Sequence, residues 1–248
     1  IAPDHGTFTG AVGLLFEPLH FLKELLFEVE VAEGATLFIT GDGEVVANGG
    51  AAANGRVFTG SGGTEDDENA PGRYNQNHRP LVDQREAVGH AVRATYAYCA
   101  LADMAALTGE KRYADAGEAL WRNVTGRKMH LTAGLGAIPQ GERFGADYEL
   151  PNWNGYLETC AAIGNGLWND RLFRLTGDAR YVDVLERVMY NAFFAAQSSD
   201  GLRYRYYTPF NQRGEWFKQD TYCCPNNYKR EVFEIPDAVF FRTADGLA

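Results

Sequence analysis

Three of the chain's four cysteines and one glutamate fall in two short segments whose side chains could bind a metal ion. Glu158 and Cys160 stand two positions apart, and Cys223 and Cys224 are adjacent. Adjacent cysteines rarely bond to each other, because the geometry of a disulfide strains such a pair. Zinc prefers four ligands arranged in a tetrahedron, and cysteine thiolates often supply most of them. The cluster therefore indicates a Zn²⁺ site, although cysteines that merely pack as small apolar side chains would give the same pattern.

Composition narrows the class of protein. A chain of 248 residues buries roughly 70–75% of its unfolded surface, so a core needs no disulfides. The net charge of −10 argues against a nucleic-acid partner, which requires a basic surface. No run of about 18 apolar residues occurs, so we expect no membrane span. The lack of a signal peptide and the clustered thiols favour the cytoplasm while leaving the localisation open, and the sequence gives no oligomeric state.

The middle of the chain contains two copies of one helical unit. LTGEKRYAD at 107–115 aligns with LTGDARYVD at 175–183, an offset of 68 residues. Each copy has a long helix that stops at Thr-Gly and then a second helix. Repeated helical hairpins are typical of an α/α toroid or solenoid, where neighbouring hairpins bury each other's apolar faces. The predicted helices are Leu81–Leu107, Tyr113 to about Val124, Leu157–Leu175 and Tyr181 to about Ala195.

The repeat relates the candidate ligand Glu158 to a histidine. The position 68 residues before Glu158 is His90, so the two residues occupy equivalent places on successive long helices. If these helices line the inner ring of a toroid, both side chains point into one cavity. A histidine on an apolar helix is also a common core residue, and both interpretations of His90 stay open.

The two ends of the chain give weaker signals. We interpret residues 1–75 as an irregular, partly β region with a linker, 76–236 as the toroid, and 237–248 as the start of a truncated β segment. The N-terminal region is predicted to contain a helix over Leu14–Phe27, strands within Phe27–Val46 around a hairpin at 41–43, and a loop over Ala47–Gly72. A strand is predicted to begin over Ala238–Phe241.

A long polar loop joins the two hairpins, at Gly134–Asn154. It carries three carboxyl groups, on Glu142, Asp147 and Glu149. Long loops inside compact domains are often functional. Any of the three groups could act as a general acid and base, and the residues alone do not choose between them. Further on, Leu202–Thr208 reads as an aromatic strand that would suit either a sugar-binding surface or a core.

Four segments of the chain resemble glycoside hydrolase family 127, the β-L-arabinofuranosidases and related enzymes. They are AVGHAVRATY at 87–96, GERFGADYELPN at 141–152, YLETC at 156–160 and CCPNN at 223–227. The resemblance covers roughly residues 74–248 and keeps the family's order of motifs. It implies a mainly α fold, a partial (α/α) toroid, and a retaining hydrolase that acts on β-L-arabinofuranosides or related plant-glycan sugars.

The resemblance also implies roles for individual residues. Cys223 would attack the anomeric carbon, and Glu142 would be the general acid and then the general base. A free thiol titrates near pH 8.5, and bound zinc deprotonates it outright, which suits this chemistry. The implied zinc ligands are Glu158, Cys160, Cys223 and Cys224, and the implied sugar-binding residues are His90 and Tyr206.

Local geometry gives this metal site a structural requirement. Residues two apart in a regular helix point to opposite sides, whereas in extended chain they share a face. Glu158 and Cys160 can therefore hold one ion together only where the helix is not yet regular. We expect both residues at the very start of their helix.

The chain also departs from the family. It shows fewer toroid helices than the family's catalytic domain, no counterpart of the upstream sugar-binding histidines, and no C-terminal β-sandwich, which indicates a partial sequence. One alternative is a zinc-stabilised, non-catalytic remnant or carbohydrate-binding module, and another is a helical interaction repeat with buried cysteines. The same scaffold could also cleave another sugar. Glu142 distinguishes the non-catalytic zinc protein from a glycosidase. A zinc ion with a purely structural role does not require a carboxyl group that faces it across a cavity, whereas a glycosidase does.

Overall fold

The computed structural model describes residues 71–211 and 223–239, and the backbone of six short strands outside these ranges. The chain divides into two compact units, Ile1–Val124 and Thr125–Ala248. The strands of the first unit are β1 (Phe27–Val31), β2 (Ala35–Ile39) and β3 (Val45–Gly49), and they pair antiparallel in the order β1-β2-β3.

This sheet confirms the strands predicted from Phe27 onward. The loop predicted from Ala47 is wrong at its start, because β3 runs on to Gly49. It is also wrong at its end, because a helix begins at Pro71. Residues 14–26 of the predicted first helix and 50–70 of the predicted linker lie outside the described residues, whereas Phe27 belongs to β1.

The long helix of the first unit begins later than predicted, whereas the helix after it begins two residues before the predicted Tyr113. A short helix, α1 (Pro71–Tyr74), precedes a 3₁₀ turn at Leu81–Asp83, and the long helix α2 covers Ala91–Thr108. The predicted start at Leu81 is wrong because Gln84 is extended, with ψ of 142°, and Gly89 has a positive φ of 70°. Neither conformation continues a right-handed helix. Helix α3 (Lys111–Asn123) completes the hairpin and passes into a π turn at Val124–Lys128.

The second unit repeats this hairpin and adds one further helix. The predicted helix from Tyr181 is α-helical only to Arg187 and then continues as π and 3₁₀ turns to Ala196. The predicted strand at 202–208 is limited to two residues, and the one predicted from Ala238 is wrong, because the last helix continues to Val239. The elements are α4 (Thr159–Thr176), α5 (Ala179–Arg187), β4 (Tyr204–Arg205), β5 (Trp216–Phe217), α6 (Cys223–Val239), β6 (Arg242–Thr243) and β7 (Gly246–Leu247).

The 68-residue repeat is confirmed in detail. Helices α2 and α4 each contain 18 residues and end at glycines in the left-handed conformation, Gly109 with φ of 70° and Gly177 with φ of 71°. Glycine adopts this conformation without the steric cost that a Cβ adds. Both hairpins also bury an equivalent tyrosine, Tyr113 and Tyr181, under the guanidinium of the preceding arginine.

The fold class is mainly α, as predicted, and helical hairpins α2–α3 and α4–α5 supply most of the buried apolar side chains. Among the described residues, no helix has the length and hydrophobicity that crossing a membrane requires.

A buried glutamate on α6 makes the stability of the second unit depend on pH. Glu231 is 6% exposed, and its Oε2 has no hydrogen-bond partner among the described residues. Burial, and then the nearby charge of Glu234, raise the pKa of Glu231 to about 8. A raised carboxyl pKa means that the folded state holds the proton. The stabilisation is therefore complete below the unfolded pKa, near 4.5, and is lost as the pH rises through about 8.

Replacing Glu231 by Gln is expected to remove this dependence. The variant should be more stable than the native chain by about 1–3 kcal/mol above pH 8, where the native carboxylate is buried and charged. Urea unfolding at pH 5, 7 and 8.5 measures the difference, with Asp237→Asn, a change at an exposed carboxylate of the same helix, as the control. A difference between Glu231→Gln and the native chain that stays constant over these pH values would contradict the assignment.

Candidate active site

The four residues of the predicted metal site come together in the second unit. The ligand atoms of Glu158, Cys160, Cys223 and Cys224 all lie within 4.8 Å of one another. The sulfurs of Cys160 and Cys224 are 3.2 Å apart, and those of Cys223 and Cys224 are 3.8 Å apart. Oε1 of Glu158 is 3.6 Å from the Cys223 sulfur and 3.5 Å from the Cys224 sulfur. All of these thiols are free.

The start of α4 places Glu158 and Cys160 on the same side. Glu158 is the N-cap residue, in extended conformation with φ of −65° and ψ of 137°, and Cys160 is the second residue of the helix. The preceding Leu157 is buried and has a positive φ of 45°. It is held there by hydrogen bonds from its N–H to Gly136 O and from Thr208 N–H to its carbonyl. The requirement that both ligands stand at the helix start is therefore met.

The start of α6 brings the other two ligands. Cys223 and Cys224 are the first two residues of α6, which packs against α4. The Tyr228 ring stacks on Phe193 with 4.1 Å between centroids, and its hydroxyl donates to Gln197 Oε1 at 2.7 Å. These contacts fix the N-terminal part of α6 independently of the thiols.

The residues present fit a zinc ion. Bond lengths of about 2.3 Å to sulfur and 2.0–2.2 Å to oxygen give tetrahedral edges of about 3.8 Å between sulfurs and about 3.5 Å between sulfur and oxygen. Of the four separations given above, three are close to these values, and the fourth, between the sulfurs of Cys160 and Cys224, is shorter at 3.2 Å. The second carboxylate oxygen of Glu158 is buried and has no hydrogen-bond partner among the described residues. A cluster of three thiols, two of them buried, and one such carboxylate could hold a metal ion.

The cluster concentrates negative charge on one sulfur. Hydrogen bonds from Cys160 and Cys224 lower the pKa of Cys223 to about 2. The hydrogen bond to Cys223 raises the pKa of the Cys160 thiol, and burial raises the pKa of Cys224 and of Glu158. Cys223 is also the exposed member of the set, while Cys160 and Cys224 are fully buried. The sulfur that loses its proton most easily is thus the one that solvent can reach.

Glu142 and the exposed sulfur of Cys223 both contact the hydroxyl group of one tyrosine, Tyr206. Glu142 ends a tight turn with a positive φ of 53°, a conformation that is uncommon for residues other than glycine and often marks functional sites. Its Oε1 accepts a hydrogen bond from the Tyr156 hydroxyl at 2.7 Å, and the Tyr206 hydroxyl is 3.4 Å away. The same Tyr206 hydroxyl lies 3.5 Å from the sulfur of Cys223.

The two tyrosines are hydrogen-bond donors to this carboxylate. Burial, followed by the charge of Glu158, raises the pKa of both the Tyr156 and the Tyr206 hydroxyl. Both phenols therefore keep their protons at neutral pH. Tyr156 also stacks on Tyr207, with ring centroids 5.7 Å apart, which limits the orientations that its hydroxyl can take.

The two competing carboxylates of the loop have other partners. Asp147 forms an ion pair with Arg127 at 2.6 Å, and Glu149 accepts a hydrogen bond from Ala146 N–H at 2.8 Å. Both contacts hold the loop in shape. Of the three loop carboxylates, Glu142 is the one that shares a hydroxyl partner with the cysteine cluster.

His90 stands where the repeat predicts. It is the N-cap residue of α2, as Glu158 is of α4, and its Nδ1 accepts a hydrogen bond from Arg93 N–H at 3.4 Å. Its half-buried ring meets Tyr74 edge-on at 5.9 Å. His90 belongs to the first unit and the cysteines belong to the second, so its place beside them stays a prediction.

Two residues of this site were missed by the sequence analysis. Tyr156 contacts Glu142, and Asn227 Nδ2 donates to the Cys160 sulfur at 3.1 Å. The spacing of each residue from a predicted metal ligand could have indicated it. Tyr156 stands two residues before Glu158, and Asn227 follows Cys224 by three positions, which is the spacing of neighbours on a helix surface.

Comparison with known proteins identifies the family. The family model for the GH127 catalytic domain of β-L-arabinofuranosidases matches residues 48–237, a range that starts upstream of residue 74. A curated non-reducing end β-L-arabinofuranosidase from Bifidobacterium longum subsp. longum is 32% identical over 189 residues, which cover 70% of this chain and 28% of the relative.

Solved structures give the same result. A GH127 β-arabinofuranosidase is similar at 47% identity and a TM-score of 0.63, over 68% of this chain and 27% of that protein. A GH127 β-L-arabinofuranosidase from Geobacillus stearothermophilus T6 is similar at 36% identity and a TM-score of 0.67, over 75% of this chain and 31% of that protein.

The helical hairpins thus form part of an α/α toroid fold, in agreement with the predicted fold class. The chain spans less than a third of the length of these relatives. By the extent of the matched range and the order of its motifs, it belongs to the GH127 family of β-L-arabinofuranosidase catalytic domains.

Proposed function

We propose that this chain carries the catalytic centre of a retaining glycoside hydrolase that cleaves β-L-arabinofuranosides or related plant-glycan sugars. The observation that carries the proposal is the arrangement of Cys223 and Glu142 around the Tyr206 hydroxyl. Each reacting atom lies within 3.5 Å of that oxygen, so they are at most about 7 Å apart, a limit compatible with the roughly 5–5.5 Å of retaining glycosidases. Family membership supports the class of sugar.

The metal in this proposal is Zn²⁺, held by Glu158, Cys160, Cys223 and Cys224. When bound, it keeps the thiols deprotonated at neutral pH. In the first step the sulfur of Cys223 attacks the anomeric carbon and forms a C–S bond. The glycosidic C–O bond breaks, its electron pair stays on the departing oxygen, and the Glu142 carboxyl group supplies the proton.

The second step reverses these roles. Glu142, now a carboxylate, takes a proton from a water molecule, and the water oxygen attacks the anomeric carbon. The C–S bond breaks and its electron pair returns to the sulfur of Cys223. Two displacements at one carbon give net retention of configuration.

Neighbouring side chains set up both steps. In the proposal, Tyr156 orients Glu142 through its 2.7 Å hydrogen bond, and Tyr206 and His90 contact the sugar. A zinc site that served structure alone would have no need for a carboxylate on a strained turn beside the exposed sulfur. This contrast favours the glycosidase over the non-catalytic alternative.

The first test of the proposal is the metal content of the chain. We expect one zinc ion per chain after refolding with zinc and gel filtration, measured by elemental analysis. Cys224→Ala should reduce zinc binding strongly, because it removes a fully buried ligand. Cys99→Ala is the matched control, since Cys99 is equally buried but lies on α2 of the other unit.

Zinc at well below one ion per chain in the native protein would contradict the metal site. Equal losses of zinc in the Cys224→Ala and Cys99→Ala variants would show instead that the zinc content depends on how well the chain folds and not on this cluster.

A further inference from the structure

One buried amide contacts the candidate metal site from outside the set of ligands. Asn227 is 6% exposed, and its Nδ2 lies 3.1 Å from the sulfur of Cys160. A thiolate only accepts hydrogen bonds, so the amide must present its NH₂ group to this sulfur. Hydrogen bonds to charged acceptors are roughly twice as strong as those between neutral groups.

The fold holds this donor in place before any metal binds. Asn227 is the fifth residue of α6, one residue before Tyr228. The stacking of Tyr228 on Phe193 and its hydrogen bond to Gln197 fix this part of the helix. Cys160 is fixed in turn as the second residue of α4. The Asn227–Cys160 contact therefore joins the starts of the two helices that carry the cluster.

The three sulfurs differ in their surroundings. Cys160 is fully buried and accepts the Asn227 hydrogen bond. Cys224 is fully buried and 3.5 Å from the Tyr206 backbone carbonyl. Cys223 is exposed, and its partner outside the cluster is the Tyr206 hydroxyl. A hydrogen bond from a neutral amide withdraws charge from a thiolate, so the sulfur that accepts it is less able to attack carbon. The buried amide also holds the Cys160 sulfur in its place in the cluster.

We propose that Asn227 is a positioning residue that makes Cys160 a permanent ligand, so that Cys223 is the sulfur free to react. This inference rests on the proposed zinc–thiolate function. It assigns to Asn227 two effects, tighter metal binding and a lower electron-donating power of the Cys160 sulfur.

The test compares two neighbouring asparagines in the full chain. Asn227→Ala removes the amide, and Asn227→Leu removes it while keeping most of its bulk. Asn226→Ala and Asn226→Leu are the controls, because Asn226 is the same residue type on the same turn with an exposed side chain. Zinc affinity is measured by competition with a chelator, and cobalt-loaded samples are measured by absorption spectroscopy.

Both Asn227 variants should bind zinc about 10–100-fold more weakly than the native chain, the usual effect of losing a partner of a metal ligand. Their sulfur-to-cobalt charge-transfer band should move to longer wavelength, because the unprotected sulfur donates more strongly. The Asn226 variants should match the native chain in both measurements. Native affinity and a native band in Asn227→Leu would show that the side chain acts by packing and would overturn the proposal.

A second measurement needs no variant. In the native chain loaded with ¹¹³Cd, the side-chain amide proton of Asn227 should exchange slowly and show scalar coupling to the metal through the Cys160 sulfur. A rapidly exchanging, uncoupled amide would overturn the proposal, even if the variants failed to fold. A native chain that binds no zinc would overturn the proposed function itself, whereas native zinc binding without an Asn227 effect would overturn this inference alone.

Discussion

Replacing Glu142 by Gln is expected to slow the cleavage of alkyl β-L-arabinofuranosides by about 10²–10⁴-fold, the usual contribution of a general acid. The variant keeps the size of the side chain but cannot protonate the departing oxygen. A p-nitrophenyl group leaves without a proton, so bond cleavage in that substrate should be nearly unaffected. The release of the leaving group in the first turnover, which reports the first step alone, is measured for both substrates in a full-length enzyme that carries this chain.

The second step gives the same variant another signature. Without a base the glycosylated Cys223 should accumulate, and azide, which attacks without a base, should speed its breakdown. The product should be the azide with retained configuration. Glu149→Gln is the matched control, because Glu149 is a carboxylate of the same loop that contacts Ala146 N–H.

Equal losses on both substrates without azide rescue would remove Glu142 from the acid/base role. The role would then pass to Asp147 or Glu149. A slower cleavage of the alkyl substrate alone, together with azide rescue, in Glu149→Gln would point to Glu149 directly.

Replacing Cys223 by Gly should lower activity by at least about 10³-fold, as expected for loss of a nucleophile. The loss alone does not assign the role, because the change also removes a candidate metal ligand. The reaction with azide distinguishes the loss of a nucleophile from the loss of a metal ligand. Azide can occupy the space of the missing sulfur and displace the leaving group in one step, which inverts the anomeric configuration.

The expected product of Cys223→Gly with azide is therefore the inverted glycosyl azide, identified by NMR. Cys224→Gly is the matched control, since it loses an adjacent ligand but not the attacking atom. Inverted azide from Cys224→Gly, and none from Cys223→Gly, would assign the nucleophile to the other cysteine.

Local signals predicted the parts of this structure that depend on short segments. The Thr-Gly stops and the 68-residue repeat predicted two equal hairpins, and the equivalence of His90 with Glu158 at the helix N-caps follows from the same repeat. The rule that residues two apart share a face only in extended chain predicted where Glu158 and Cys160 must stand.

Other features depend on contacts between distant segments, which periodicity does not contain. The sequence alone did not choose between Glu142, Asp147 and Glu149 as the acid/base. The contact that distinguishes Glu142 is with the hydroxyl of Tyr206, which is 64 positions away along the chain. The Asn227–Cys160 contact spans 67 positions. The helix predicted from Leu81 starts ten residues late, because hydrophobic spacing does not report the backbone conformations of Gln84 and Gly89.

The most direct test of Cys223 as the nucleophile is covalent labelling. A full-length enzyme that carries this chain is incubated with an electrophile of β-L-arabinofuranose shape, such as the corresponding epoxide, and digested for mass spectrometry. We expect the peptide that contains Cys223 to gain the mass of one epoxide molecule, because ring opening by the sulfur releases no group. The labelling should be blocked by excess arabinoside and absent in Cys223→Ser. Modification of Cys224 or of a carboxylate instead, with Cys223 unlabelled, would contradict this assignment.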